Sequence, residues 1–106
     1  MSVKLIRLLS GEELIGKESD DIKADGYIIL DEVLLVGYQM QQNHTMQFGF
    51  GPFSPMCKPG PKYINRDLIV FVSEPNDVLL QGYNQFTGRI VTPTKEILPA
   101  KELIIG

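Results

Sequence analysis

The chain has 106 residues, 43% hydrophobic and 22% charged, with a formal net charge of −3. That is one domain of ordinary globular composition, without the basic excess of a general phosphate-binding surface. No apolar run approaches the roughly 18 residues of a membrane helix, and the single cysteine, Cys57, excludes an internal disulfide and fits a reducing cytoplasm.

The charge is unevenly distributed. Residues 1–32 carry eight acids against four bases, whereas residues 33–66 carry no acid and only Lys58, Lys62 and Arg66. This asymmetry sets an electronegative end of the fold against a mildly basic one, or is a plain solvated surface.

The first element is a β-hairpin. Two apolar runs, Val3–Leu9 and Leu14–Lys17, flank the corner Ser10-Gly11-Glu12-Glu13, and glycine admits the positive φ of a sharp reversal. Val3, Leu5 and Leu9 occupy one alternating set and Ile6 and Leu8 the other. A strand apolar on both sides is covered on both, by a terminal helix or by a neighbouring subunit. The polar stretch Lys17–Asp25, ended by Gly26, reads as a loop, and Tyr27–Leu30 and Val33–Val36 read as strand interrupted by Asp31-Glu32.

Between Gly37 and Gly51 the period is two. Tyr38, Met40, Met46, Phe48 and Phe50 share one face, and Gln39, Gln41, Asn43, Thr45 and Gln47 the other. Both apolar arms share a face in a hairpin only if Met40 meets Met46 and Tyr38 meets Phe48, with an odd loop centred on Asn43 and His44 near its tip; a single bent strand is the alternative. The segment 51–61 holds four prolines, so it is a rigid connection. Tyr63–Ser73 returns to strand. Leu79, Tyr83 and Phe86 then recur at helical spacing behind Asn76-Asp77 and before Gly88, which predicts a helix over 77–87, although the short apolar cluster Val78-Leu79-Leu80 also suits a strand. The apolar stretch 89–106 is expected to dock along the domain or on a neighbour. Val3, Leu5, Ile15, Leu34, Val36, Ile69 and Phe71 are the expected core.

Catalytic chemistry finds little support. His44 is the only histidine and sits at an expected hairpin tip, where an exposed turn residue is the simpler reading. The acidic pairs Glu12-Glu13, Asp20-Asp21 and Asp31-Glu32 are sequence neighbours that point apart on a strand. No spacing suits a metal, and no glycine-rich loop opens a helix. The chain is therefore read as a non-enzyme without cofactor or metal. What remains is the amide face, Gln39, Gln41 and Asn43, able to hydrogen-bond base edges, and the segment Lys58, Lys62, Tyr63 and Arg66, a ring among cations suited to single strands. Polar outer faces without a ligand look similar.

Leu5-Ile-Arg-Leu-Leu-Ser-Gly-Glu-Glu-Leu-Ile-Gly-Lys17 resembles the opening of an Sm-like (LSm) barrel. Asp31–Val36, Phe50–Pro55 and Ile64–Val72 resemble a divergent marine, cyanophage-type group of that family. The resemblance implies one all-β Sm-like domain over 1–106, about five bent antiparallel strands (3–73) with one short helix, here C-terminal. It also implies assembly through strand edges into a homo-oligomeric ring, a homopentamer in that group, and binding of single-stranded RNA or DNA. Two family motifs are absent: Asp20–Asp25 stands where the Asp-x-apolar-Met-Asn run belongs, and Ile64-Asn-Arg-Asp67 only echoes Ile-Arg-Gly. A structural or adaptor ring without nucleic acid is the alternative.

Overall fold

The sheet grows from the N-terminal hairpin. Strands β1 (Ser2–Leu8) and β2 (Glu13–Glu18) pair antiparallel, with Leu5 opposite Ile15 and Arg7 opposite Glu13. Gly11, at the corner, has φ 96°, the left-handed region where a side chain is strained. The computed structural model describes residues 2–88; the expected docking of 89–106 lies outside the described residues.

β3 (Tyr27–Met40) and β4 (Met46–Pro52) form the expected hairpin, with Met40 opposite Met46 and Tyr38 opposite Phe48. The five-residue loop is centred on Asn43, and His44 takes φ 68° beside it. The proline-rich segment separates β4 from β5 (Lys62–Asn65), which pairs with the first residues of β3. A 3-10 turn, Arg66–Leu68, leads into β6 (Ile69–Ser73) on the far side of β1. The order is β4-β3-β2-β1-β6, with β5 also on β3. Among the described residues the architecture is antiparallel β with one α-helix, α1 (Asp77–Gly88). The sheet is open, because the register pairs β4 with β3 alone and β6 with β1 alone among the described residues.

Two local details differ from the sequence reading. Tyr63–Ser73 is two strands, because the Asn65 side chain accepts a hydrogen bond from Asp67 N at 2.8 Å and turns the chain. Among the described residues the strand count is thus six, the prolines having removed the ladder donors between β4 and β5.

A bulge shapes the sheet. Glu32 has φ 51°, and the β2–β3 register shifts between Ile15 and Lys17. One extra residue reverses the alternation. Ile28 and Leu30 therefore face the same cluster as Val33 and Leu35, and Leu34 and Val36 the opposite one. Gly16 makes the bend possible: a Cβ there would lie 3.0 Å from Asp31 O and 3.2 Å from Leu30 Cβ.

Each face consequently carries its own core. Ile6, Leu14, Ile28, Leu30 and Ile64 pack on one side. On the other, Ile15, Val36 and Phe50 pack beneath Leu79 and Tyr83 of α1, so the cover required by the two-sided strands is the helix. Asn76 caps α1 by accepting from Leu79 N at 2.8 Å. Tyr83, fully buried, donates its hydroxyl to Glu32 O at 2.7 Å, tying the helix to the bulge. Of the expected core, Ile15 and Val36 are buried, whereas Val3, Leu5, Leu34 and Ile69 are half-buried. Phe71 corrects that expectation: it is 39% exposed, because β6 is an edge strand with β1 as its neighbour. The most buried positions include Ile6, Leu14 and Leu30, on the face where the expected core held only Ile69.

Candidate nucleic-acid interface

The seven expected contact residues fall into two groups at opposite ends of the fourteen-residue β3. Gln39 lies near the C-terminal end of β3, and Gln41 and Asn43 in the loop that follows. Some of their capacity is used locally. Gln41 Nε2 donates to Gln47 Oε1 at 3.0 Å. Asn43 Oδ1 accepts from Thr45 N at 3.2 Å and from Thr45 Oγ1 at 2.6 Å. These contacts brace the turn, and the amide of Gln39 projects from an exposed position opposite Gln47.

The second group gathers where β5 joins β3. Tyr63 lies opposite Ile29 and Tyr27 opposite Asn65, so the two tyrosines are diagonal neighbours on one face. Ile28 and Ile64 point the other way into the core. The rings meet edge to face, with centroids 6.2 Å apart and planes at 74°, and both stay substantially exposed, Tyr63 at 52% and Tyr27 at 40%. Arg66 follows directly, its side chain exposed and its N–H bonded to Gly26 O at 2.9 Å. Tyr27 is absent from the sequence-derived set. Its signal was an aromatic residue at a strand start, two positions before a buried Ile29.

The cations are not equivalent. Lys62 Nζ donates to Lys58 O at 3.1 Å and to Gly60 O at 2.9 Å, so it clips the proline-rich loop closed. Lys58 and Arg66 are exposed.

On the face that α1 covers in part, Glu13 is a buried carboxylate. Its Oε2 accepts from Arg7 Nε at 3.0 Å and Nη2 at 2.7 Å, and its Oε1 accepts from the Tyr38 hydroxyl at 2.5 Å. Burial and this hydrogen bond push the Tyr38 phenol well above its ordinary value. The Arg7 guanidinium also lies 5.8 Å from the Phe71 ring centre. With its acceptors filled and its charge paired, Glu13 is a structural cross-strand tie.

Among the described residues no three His, Cys, Asp or Glu side chains gather to hold a metal, and no helix is long and apolar enough to cross a membrane. Cys57 is free and exposed. Compared with known protein families and with curated proteins, the chain has no match.

Proposed function

We propose that this protein is an Sm-like, ring-forming protein that binds single-stranded RNA or DNA in nucleic-acid processing. The observation that carries the binding reading is the exposed Tyr27–Tyr63 pair beside Arg66. Two accessible rings next to a cation offer a base a stacking surface and its phosphate a counter-charge, a combination tolerant of sequence. The 33–66 segment carries no acid beside Tyr63, while Asp25 and Asp67 flank Tyr27 and Arg66 in sequence.

Self-association is supported by the sheet ends. β4 reads Met-Gln-Phe-Gly-Phe-Gly-Pro and β6 reads Ile-Val-Phe-Val-Ser, without one charged side chain. Edge strands that stay solvated are normally guarded by charge. Val70, Phe71 and Val72 are all substantially exposed. Joining two different edges is a heterologous contact, which closes into a ring when the rotation permits.

A non-binding adaptor ring is the second reading, favoured by the net charge of −3 and by the internal use of Lys62. Fluorescence anisotropy with short poly-U and poly-dT probes at low ionic strength separates the two, supported by the 260/280 nm absorbance ratio of the purified protein. Saturable binding that weakens steeply with salt is expected. An intact oligomer that titrates neither probe leaves the adaptor reading.

A further inference from the structure

The tip of the β3–β4 hairpin gathers donor atoms that the fold leaves unused. Met40 and Met46 lie directly opposite each other, and His44 stands in the loop between them, two residues before Met46. We infer that this tip, Met40-Gln-Gln-Asn-His44-Thr-Met46, binds a soft univalent cation, Cu(I), through the two thioethers and the imidazole. Thioethers fall outside the Cys and His spacings by which the sequence excludes a metal, and outside the clusters of His, Cys, Asp and Glu.

The backbone of the tip sets the geometry. Gln41 N–H donates to Thr45 O at 2.8 Å, and His44 N–H donates to Gln41 O at 3.0 Å. Gln41 and Thr45 thus form the last hydrogen-bonded pair of the ladder. Bonded and non-bonded pairs alternate in an antiparallel ladder, so Met40 and Met46 form a non-bonded pair, whose Cα atoms lie about 4.5 Å apart with their side chains closest together. Both side chains are open to solvent, at 57% and 56%. The unbranched thioether arm is flexible enough to turn its sulfur toward a shared ion.

His44 is exposed and has φ 68°, the left-handed position that closes a three-residue hairpin loop and that glycine fills without strain. A side chain retained at such a backbone position directs attention to what it does. Neither methionine nor the imidazole enters a hydrogen bond, ion pair or ring contact among the described residues, so all three donors are available.

The surroundings select for softness. Residues 33–66 contain no carboxylate. Oxygen atoms near the tip are already engaged: Gln47 Oε1 accepts from Gln41, Asn43 Oδ1 accepts from Thr45, and the Tyr38 hydroxyl donates to Glu13. Calcium and magnesium require oxygen donors, and zinc favours thiolate, imidazole and carboxylate. Thioether sulfur suits Cu(I), and imidazole completes its coordination. Tyr38 and Phe48, the next pair on the same face, supply an apolar border.

The test uses the full chain with Cys57→Ser, because the exposed thiol would compete for a soft cation. Methionine carrying a 13C-labelled methyl group reports each thioether by NMR. Ag(I), a redox-stable stand-in for Cu(I), should shift the Met40 and Met46 signals together and saturate them at a single cation per chain. The signal of Met56, a side chain 95% exposed on the proline-rich loop, should stay in place. Cu(I) added as its acetonitrile complex without oxygen should reproduce the pattern, and Zn(II) should not. Met40→Leu and Met46→Leu assign the signals, and each should lower the affinity. His44→Asn keeps a residue suited to the left-handed turn while removing the imidazole. With its circular dichroism spectrum unchanged, that variant should bind Ag(I) about tenfold or more weakly, since losing even an indirect partner of a metal costs that much. A Met56 signal that shifts at the same Ag(I) concentration as the pair would mean ordinary binding to any exposed thioether, and the inference fails. It fails equally if His44→Asn binds as the unsubstituted protein does, or if Cu(I) moves neither Met40 nor Met46.

Discussion

Replacing Gly16 by alanine tests whether the bend of β3 is a packed feature or a loose one. The new methyl would meet Asp31 O at 3.0 Å, Leu30 Cβ at 3.2 Å and Val33 Cγ2 at 3.3 Å. The first neighbour is backbone at the bulge, and the Leu30 side chain is fully buried, so neither yields freely. Forcing a methyl into such a place costs about 1–3 kcal/mol. Alanine also narrows the unfolded ensemble, which returns about 0.4–1 kcal/mol where the backbone tolerates it. The net is a loss of about 1–2 kcal/mol. For a domain of this size that lowers Tm by roughly 4–15 °C. The measurement is thermal and urea unfolding at one fixed protein concentration, since assembly would make Tm concentration-dependent. Gly82→Ala is the informative comparison. Its methyl would press on Phe48 ring atoms at 3.1 and 3.2 Å, but that ring is only half-buried and can shift, while the helix gains up to about 1 kcal/mol. Gly82→Ala should therefore be near neutral. A Gly16→Ala protein as stable as wild type would refute the claim that a close approach at Gly16 sets the bend.

Ile69→Asp should lower stability by about 2–4 kcal/mol, because it sets an unpaired charge against the first cluster; an unchanged melting temperature would count against the β6 register. If single strands bind at the tyrosine pair, Tyr63→Ala and Tyr27→Ala should each weaken oligonucleotide affinity by roughly 5- to 150-fold, the range of about 1–3 kcal/mol for one stacked base, with the salt slope kept. Arg66→Glu should lower both affinity and salt slope, and equal effects from all three variants would dissociate the site from stacking. Alkaline stability follows from Tyr83, whose phenol is pushed up by burial first and then by Glu32 and Asp31. The folded state holds that proton while the unfolded chain releases it near pH 10, so stability should fall as pH rises above about 10. In Tyr83→Phe the fall should be shallower, with about 1–3 kcal/mol already lost at neutral pH because Glu32 O loses its partner; an unchanged alkaline slope in urea unfolding would show that Tyr83 does not titrate on unfolding.

Much of the architecture follows from local pattern. Gly11 between two apolar runs points to the first hairpin, the alternation about Asn43 to Met40 against Met46 with one bent strand as the other possibility, and Asn76 ahead of Leu79, Tyr83 and Phe86 to a capped helix rather than a further strand. In each case the deciding interactions lie within a few residues, or between strands joined by a short loop. The tertiary structure decided what depends on distant neighbours. Asp31-Glu32 read as a polar interruption, and only β2 passing alongside shows that it is a bulge which reverses the two faces of β3. Phe71 carries the same alternating pattern as a core residue, yet its burial depends on a neighbour that the β6 edge lacks within one copy. Lys62 looks like a free cation until the loop carbonyls close on its ammonium. Tyr27 joins Tyr63 only because β5 returns to β3 across more than thirty residues of chain. Local spacing sets which way a side chain points. The strand that packs beside it, arriving from far along the chain, sets whether that direction is core, edge or ligand surface.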